Sequence, residues 1–309
     1  MASSANNQEE LGPVAKFFGR SEPFYDTAGM KDESGNPITL TLVDGKLYTP
    51  VGEGCVRGAR STRLRPDDVL LCGFCKTGCH WTWETMNMIL REKAEYSAMG
   101  KGQGFLEMVP LSMIETLASP RVLNTHLDFD RLPEDILKYK TKLVITTRNP
   151  KDVAVSFYHH HRDLYEMYGY EGTFSEWMSL YLGGKVDNDG FFKYHADWDR
   201  AIKEHPEIPV LVVTYEDHAQ DPVGTVKRLA SFLSVNLDDE TINAIAAATS
   251  FHPMKSDLKS KGMATHALLR KGEVCQWKDY LTVAQSEAID KLVETQLAGT
   301  IFAEPRYQI

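Results

Sequence analysis

Lys76 stands between an apolar run and a run of ten residues, Thr82–Arg91, without Gly or Pro. The stretch reads Val69-Leu70-Leu71-Cys72-Gly73-Phe74-Cys75-Lys76-Thr77-Gly78-Cys79-His80-Trp81. A buried strand, a short Gly/Lys loop and a helix start together make an anion cradle. Unpaired backbone N–H groups and the helix dipole converge on one spot, and the lysine adds a full charge. Taken alone, the pattern is equally an ordinary strand–helix turn with a surface lysine. Lys76 precedes Gly78, so the Gly-x-x-x-x-Gly-Lys-[Ser/Thr] order is absent and Mg²⁺-dependent nucleotide chemistry is not indicated. Cys72-x2-Cys75-x3-Cys79-His80 offers thiols and an imidazole at close spacing, the look of a metal site or redox pair. No second pair of ligands follows at zinc-finger spacing, and Cys72 lies within the apolar run, so burial is the reading and no metal is expected. His159-His160-His161 are consecutive, and consecutive residues on a helix point different ways, which argues against one shared site.

The elements that must position these groups follow from periodicity and punctuation. Val69 onward is a strand, and Thr82–Arg91 a helix. Arg121–His126 is a short strand ending on a histidine, and Lys142–Thr147 a second buried strand. Behind it, Asn149 caps a helix with Pro150 at its first position and Asp152 in its first turn. Ile208–Tyr215 is a further strand, followed by helices at Asp221–Ser234 and Asp239–Thr249. Strands alternating with helices predict a single α/β domain with a central parallel sheet flanked by helices. Residues 24–51 alternate short apolar pieces with turn residues and predict a hairpin at Asp44-Gly45, a flap on the main sheet. The division expected is 1–64 as an N-terminal extension and flap and 65–309 as the main domain, packed as one unit; residues 1–20 read as polar and poorly ordered.

Length and composition agree with one sizeable core: 309 residues, 42% hydrophobic and 25% charged. A net charge of −9 argues against nucleic acid as the main partner, so a phosphate ligand needs a local basic pocket. No apolar run approaches the roughly 20 residues of a membrane span. The first ten residues lack the basic start and apolar core of a signal peptide. Five cysteines, an odd number without a secretory signal, predict reduced thiols and a cytoplasmic protein.

Four segments in one order carry a family likeness. They are Cys75-Lys76-Thr77-Gly78-Cys79-His80-Trp81, Asn124-Thr125-His126-Leu127, Arg148-Asn149-Pro150-Lys151-Asp152-Val153-Ala154-Val155-Ser156, and Arg270-Lys271-Gly272 followed by Trp277-Lys278. On these the chain resembles the cytosolic sulfotransferases, from Arg65 to about Glu287. The resemblance implies a P-loop-kinase-like sulfotransferase fold and transfer of a sulfuryl group from 3′-phosphoadenosine 5′-phosphosulfate (PAPS) to a hydroxyl or amine of a small acceptor. It implies His126 as general base and Lys76 as the cation on the oxygen that leaves. Lys76, Thr77, Gly78, Cys79, His80 and Trp81 would wrap the 5′-phosphate. Arg148, Ser156, Arg270, Lys271 and Gly272 would hold the 3′-phosphate. Trp81, Tyr215, Thr249 and Phe251 would meet the adenine, and Met254 would be a further cofactor-binding residue.

Two positions depart from the family pattern. Cys79 replaces a hydroxyl in the loop, and Asn124 stands where many members have a lysine two residues before the histidine. These departures keep open a dehydratase acting through a sulfated intermediate, and a non-catalytic protein that binds PAPS or its product, 3′-phosphoadenosine 5′-phosphate (PAP). The resemblance places Phe105, Met108 and His160 at the acceptor, a phenol, sterol or other alcohol, with a glycine-rich loop before Phe105. Lys278, Thr282, Val283 and Glu287 resemble the family's short homodimer motif; the same spacing also fits a capped helix start.

Overall fold

A computed structural model describes residues 29–97, 100–261 and 269–305. Residues 1–28, including the expected disordered start, and Ala98 and Met99 of the glycine-rich loop lie outside them. Two small antiparallel pairs come first, β1 (Met30–Lys31) with β2 (Pro37–Ile38) and β3 (Thr41–Val43) with β4 (Lys46–Tyr48). Four parallel strands follow, β5 (Val69–Gly73), β6 (Val122–Thr125), β7 (Lys142–Thr147) and β8 (Val210–Thr214), in the order β6-β5-β7-β8.

Alternation along the strands builds the two cores. Leu70, Cys72, Leu143 and Ile145 face one layer, which holds Trp177 and Trp198. Val69, Leu71, Val144 and Val213 face the other, with Trp83, Met86 and Ile89. A strand buried on both faces can therefore be apolar throughout, as β5 is. The helices that supply these layers are α1 (Cys79–Leu90), α2 (Pro150–Asp163), α3 (Phe174–Leu182), α4 (Phe191–Glu204), α5 (Tyr215–Gln220), α6 (Pro222–Leu233), α7 (Asp239–Ala248), α8 (Phe251–Ser260) and α9 (Val283–Gln296).

Several boundaries differ from the sequence expectation, each for a local reason. α1 begins at Cys79, three residues before Thr82, because Gly78 takes φ +100° as N-cap and turns the chain directly into the helix. β6 ends at Thr125, so His126 lies one residue past the strand. β8 ends at Thr214, whose hydroxyl caps α5 by accepting from the Asp217 N–H at 3.0 Å; Tyr215 is therefore helical rather than the end of a strand. Asn149 and Pro150 open α2 as expected, the Asn149 side chain accepting from the Lys151 N–H at 2.9 Å.

The hairpin at Asp44-Gly45 forms with both turn residues at positive φ, the geometry a two-residue connection favours. It is a separate two-stranded sheet, not an added part of the main one. Lys46 ties it down to Asp128 at 2.9 Å and Asp197 at 3.2 Å. Ile38, Leu40, Val43 and Tyr48 share one buried cluster with Leu70.

Candidate functional site

The C-terminal ends of β5, β6 and β7 meet around Gly73. Gly73 pairs with Thr146 across the sheet. A Cβ on Gly73 would strike Thr146 Oγ1 and come within 2.8 Å of Cys79 Sγ, so glycine is needed for this close approach. The loop folds back over that point. Thr77 Oγ1 donates to the Phe74 carbonyl at 2.7 Å and lies 2.8 Å from Thr146 Oγ1, and Cys79 Sγ lies 3.1 Å from the same hydroxyl. Lys76 takes φ +68°, a strained value for a lysine, which sets the loop's curl. Thr77 and Cys79 are thus sunk into the sheet end and brace the loop from below. Cys72, Cys75 and Cys79 are all buried and unpaired, and no metal-holding cluster occurs among the described residues.

His126 sits beside this loop with its tautomer fixed. Nδ1 is hydrogen-bonded to the Gly73 carbonyl, which can only accept, so Nδ1 carries the proton and Nε2 keeps its lone pair. Burial, reinforced by the charge of Lys101, lowers the His126 pKa to about 3. The imidazole is therefore neutral and able to accept a proton. Glu107 underpins it, accepting from the His126 N–H at 2.6 Å and the Thr125 hydroxyl at 2.7 Å, with burial raising its own pKa to about 7. Phe105 stands edge-on to the imidazole, ring centres 4.9 Å apart. Phe105 and Met108 are buried in the same core cluster as the sheet. His160, on α2, lies against Phe157 and Tyr168 at 6.0 and 5.8 Å, while its neighbour His161 is fully buried on Asp187 and Trp177.

A cationic group faces the other side of the loop. The Arg148 guanidinium lies 3.8 Å over the Tyr215 ring and donates to the Glu273 carbonyl at 2.9 Å. Tyr215 in turn is in edge contact with Trp81 at 5.5 Å and meets any side chain added at Gly78 at 3.0 Å. One aromatic ring thus spaces the loop from Arg148. Asp152 holds the C-terminal segment in place, accepting from the N–H groups of Cys275 at 2.7 Å and Trp277 at 3.0 Å. That brings in Arg270, Lys271 and Gly272, the last with φ +76° and packed directly on Phe251. Burial, with repulsion from Arg148 and Arg270, lowers the Lys76 pKa to about 8 despite opposing pulls from Cys75 and Asp163. Ser156 is buried on α2, whose N-terminal turn follows Arg148.

The sequence-expected site residues fall into two groups. Lys76, Gly78, Trp81, His126, Arg148 and Tyr215 are brought together by direct contacts or by the loop they share. Thr249 and Met254 lie deeper: Thr249 is fully buried with its hydroxyl donating to the Ile245 carbonyl at 2.8 Å, and Met254 belongs to the buried core. One face of Trp81 is covered by His218, stacked at 3.9 Å. Lys101, Glu107 and His218 are not singled out by the sequence, and Asp152 reads there only as a helix-start residue, since their importance comes from contacts between distant segments.

The donor set fits a nucleotide with phosphate at both ends. Arg148 Nε, Trp81 Nε1 and His80 Nε2 are buried without hydrogen-bond partners, a costly state that a ligand would relieve. Cations gather here although the chain as a whole is acidic.

A sulfotransferase domain model matches residues 66–301. The chain belongs to the sulfotransferase family. Mouse sulfotransferase 6B1 is 31% identical over 276 residues, 86% of this chain and 85% of that protein. The crystal structure of mouse sulfotransferase SULT7A1 complexed with PAP matches with a TM-score of 0.72 and 26% identity, covering 85% of this chain and 97% of that one. Retinol dehydratase, solved with androsterone and PAP, matches with a TM-score of 0.70 over 94% of this chain and 96% of its own; at 20% identity that likeness is one of fold. The four-stranded parallel sheet and flanking helices are the fold expected of this family, and sulfuryl transfer is the chemistry it serves.

Proposed function

We propose that this protein transfers the sulfuryl group of PAPS to a hydroxyl of a small-molecule acceptor, with His126 as general base. The observation that carries the reading is the Nδ1–H bond to Gly73, which leaves the Nε2 lone pair of a buried, neutral imidazole beside the Lys76 loop. When bound, the donor supplies a sulfuryl group joined to its 5′-phosphate through an oxygen that can leave as part of that phosphate.

His126 Nε2 takes the proton of the attacking hydroxyl. Lys76 balances the negative charge that grows on the leaving oxygen, and its lowered pKa rises again beside that anion. The N–H groups of residues 77–81 and the start of α1 hold the 5′-phosphate, with Cys79 contributing backbone because its thiol faces Thr146. Arg148, Ser156, Arg270, Lys271 and Gly272 hold the 3′-phosphate, where arginine's planar fork suits a terminal phosphate. Trp81, Tyr215 and Phe251 line the adenine site, and Thr249 and Met254 form the floor beneath it. Phe105, Met108 and His160 border the acceptor. Positioning and electrostatics supply most of the rate, as for phosphoryl transfer.

Residues 65–309 form the catalytic domain and 1–64 an extension whose described part shares its core. Five cysteines, none in a disulfide, support a reducing, cytoplasmic setting. Lys278, Thr282, Val283 and Glu287 are exposed, Val283 at 75%, and support pairing with a second copy, although Thr282 also caps α9 with Gln285. Among the described residues, no helix is long and apolar enough to cross a membrane.

Product mass spectrometry after incubation with PAPS and a mixed library of phenols, sterols and alcohols tests the reading. Sulfate esters are expected. An unsaturated product would assign the dehydratase course, and tight PAP binding with no product from any acceptor would make the protein a non-catalytic binder.

A further inference from the structure

Lys101 is the least explained charge in the molecule. It opens a short 3-10 turn, Lys101–Gly104, and is 8% exposed. Among the described residues its ammonium has no ion-pair or hydrogen-bond partner; it lies 4.1 Å from the centre of the Phe105 ring. Burying an unpaired ammonium is costly, and folds retain such a group where something else compensates it. Glu107, the carboxylate that acts on Lys101, is engaged by His126 and Thr125 and is pushed toward its neutral form by burial.

The surroundings of Lys101 are those of the reacting centre. Phe105, beneath the ammonium, is the ring in edge contact with His126. Lys101 is the strongest charge acting on both His126 and His80, ahead of Lys76 in each case. Lys76 instead responds to Arg148 and Arg270. The two lysines thus have different charged neighbours, Lys76 the two arginines and Lys101 the segment of Phe105 and Glu107. Backbone placement is also built in: Asn124 Nδ2 donates to the Lys101 carbonyl at 2.9 Å, and Leu106 N–H donates to the Asn124 carbonyl at 3.0 Å. The residue two before His126 thus brings no charge itself but holds the segment that does.

We propose that Lys101 is a further catalytic residue whose ammonium contacts the sulfuryl group while it passes from the donor to the acceptor oxygen. This rests on the sulfuryl-transfer reading above. As the new O–S bond forms, the bond between sulfur and the 5′-phosphate oxygen breaks with its electron pair going to that oxygen, and the acceptor proton goes to His126 Nε2. Lys101 neither gains nor loses a proton. It balances charge on the oxygens of the group in flight, while Lys76 balances the oxygen left behind. Its lowered pKa in the absence of ligand is the expected mark of a cation waiting for an anion.

Lys101→Met keeps the side chain's length and removes the charge; Lys101→Arg keeps the charge. With a neutral phenol that the wild type sulfates, Lys101→Met is expected to lower kcat by about 100-fold while PAP affinity stays within about two-fold, and Lys101→Arg to recover at least about tenfold of the loss. Lys101→Met should also weaken binding of PAPS, which carries the sulfuryl group, much more than binding of PAP. If the methionine variant does not fold, Lys101→Gln takes its place. Unchanged kcat, equal losses in PAPS and PAP binding, or a loss confined to anionic acceptors would each overturn the proposal while leaving wild-type turnover, and so the sulfotransfer reading, intact. A wild type that sulfates nothing would overturn both.

Discussion

The proposed donor side and the proposed acceptor side of this site are built by different means. On the donor side, position comes from backbone: glycines at 73 and 78, a lysine at positive φ, a helix start and a strand pair fix the loop within a short segment. On the acceptor side, position comes from side chains that different segments contribute. Glu107 reaches back to His126, Asn124 holds Lys101, and Phe105 lies between the lysine and the imidazole. A backbone-made site binds a constant group and needs a recognisable local sequence. A site made of side chains can change its partner by substitution, and leaves little local trace.

The comparison breaks most sharply at His126, where the two sides meet. His126→Ala should lower kcat/KM by about 10³-fold or more, because it removes the base proposed to take the acceptor proton. PAP affinity measured by calorimetry should stay within about two-fold, since no donor-side contact is lost. A joint loss of binding and turnover would mean that the two sides are one cooperative unit.

Arg148→Lys tests the donor side by itself. Lysine keeps the charge but loses the planar fork and its stacking on Tyr215. PAP affinity should fall by roughly 10- to 100-fold, about 1.4–2.7 kcal/mol. Gly73→Ala addresses the shared pivot. The added methyl meets Thr146, Cys79 and Thr77, so destabilisation of about 1–3 kcal/mol is expected in thermal unfolding. The Gly73 carbonyl that orients His126 shifts with it, so turnover should fall further than stability alone explains.

How much of this was legible in the sequence follows the same division. The loop, the Asn149-Pro150 helix start and the apolar strands were readable, because each is set by residues adjacent in the chain. Tyr215 was placed at the end of a strand when it opens a helix, since Thr214 caps only after tertiary packing ends β8. That Thr249 and Met254 are buried was not legible either, because the depth of a residue below a surface is not a property of its neighbours in sequence. Lys101 and Glu107 were illegible for the same reason: each acts across more than fifteen residues of chain, on His126.

Buried imidazoles give a broader and gentler test. His80, His126 and His218 are held near pKa 3 and His195 near 4, all chiefly by burial. In the unfolded chain each returns to about 6.5. Between those values the unfolded state binds more protons, so stability is present above about pH 6.5 and declines as pH falls toward 4. Urea unfolding at pH 7.5 and 5 should show the loss. His218→Phe keeps a flat ring against Trp81 but removes one titration, so it should lessen the slope by about 1.4 kcal/mol per pH unit. An unchanged slope would show that His218 is accessible enough to protonate in place.

Cys79→Thr asks whether a departure within the backbone-made loop matters. The Cys79 thiol points at Thr146 Oγ1, 3.1 Å away, and is 7% exposed, so it faces the sheet and not the loop's outer surface. A threonine hydroxyl in the same rotamer would replace this contact and satisfy itself on Thr146 or on the Phe74 carbonyl, which Cys79 Sγ already approaches at 3.8 Å. It would reach the 5′-phosphate only by turning away from those partners. PAP affinity should therefore change by less than about three-fold, under 1 kcal/mol. A gain of tenfold or more would show that the side chain at 79 faces the ligand, and that the loop's grip on the phosphate is not carried by backbone alone.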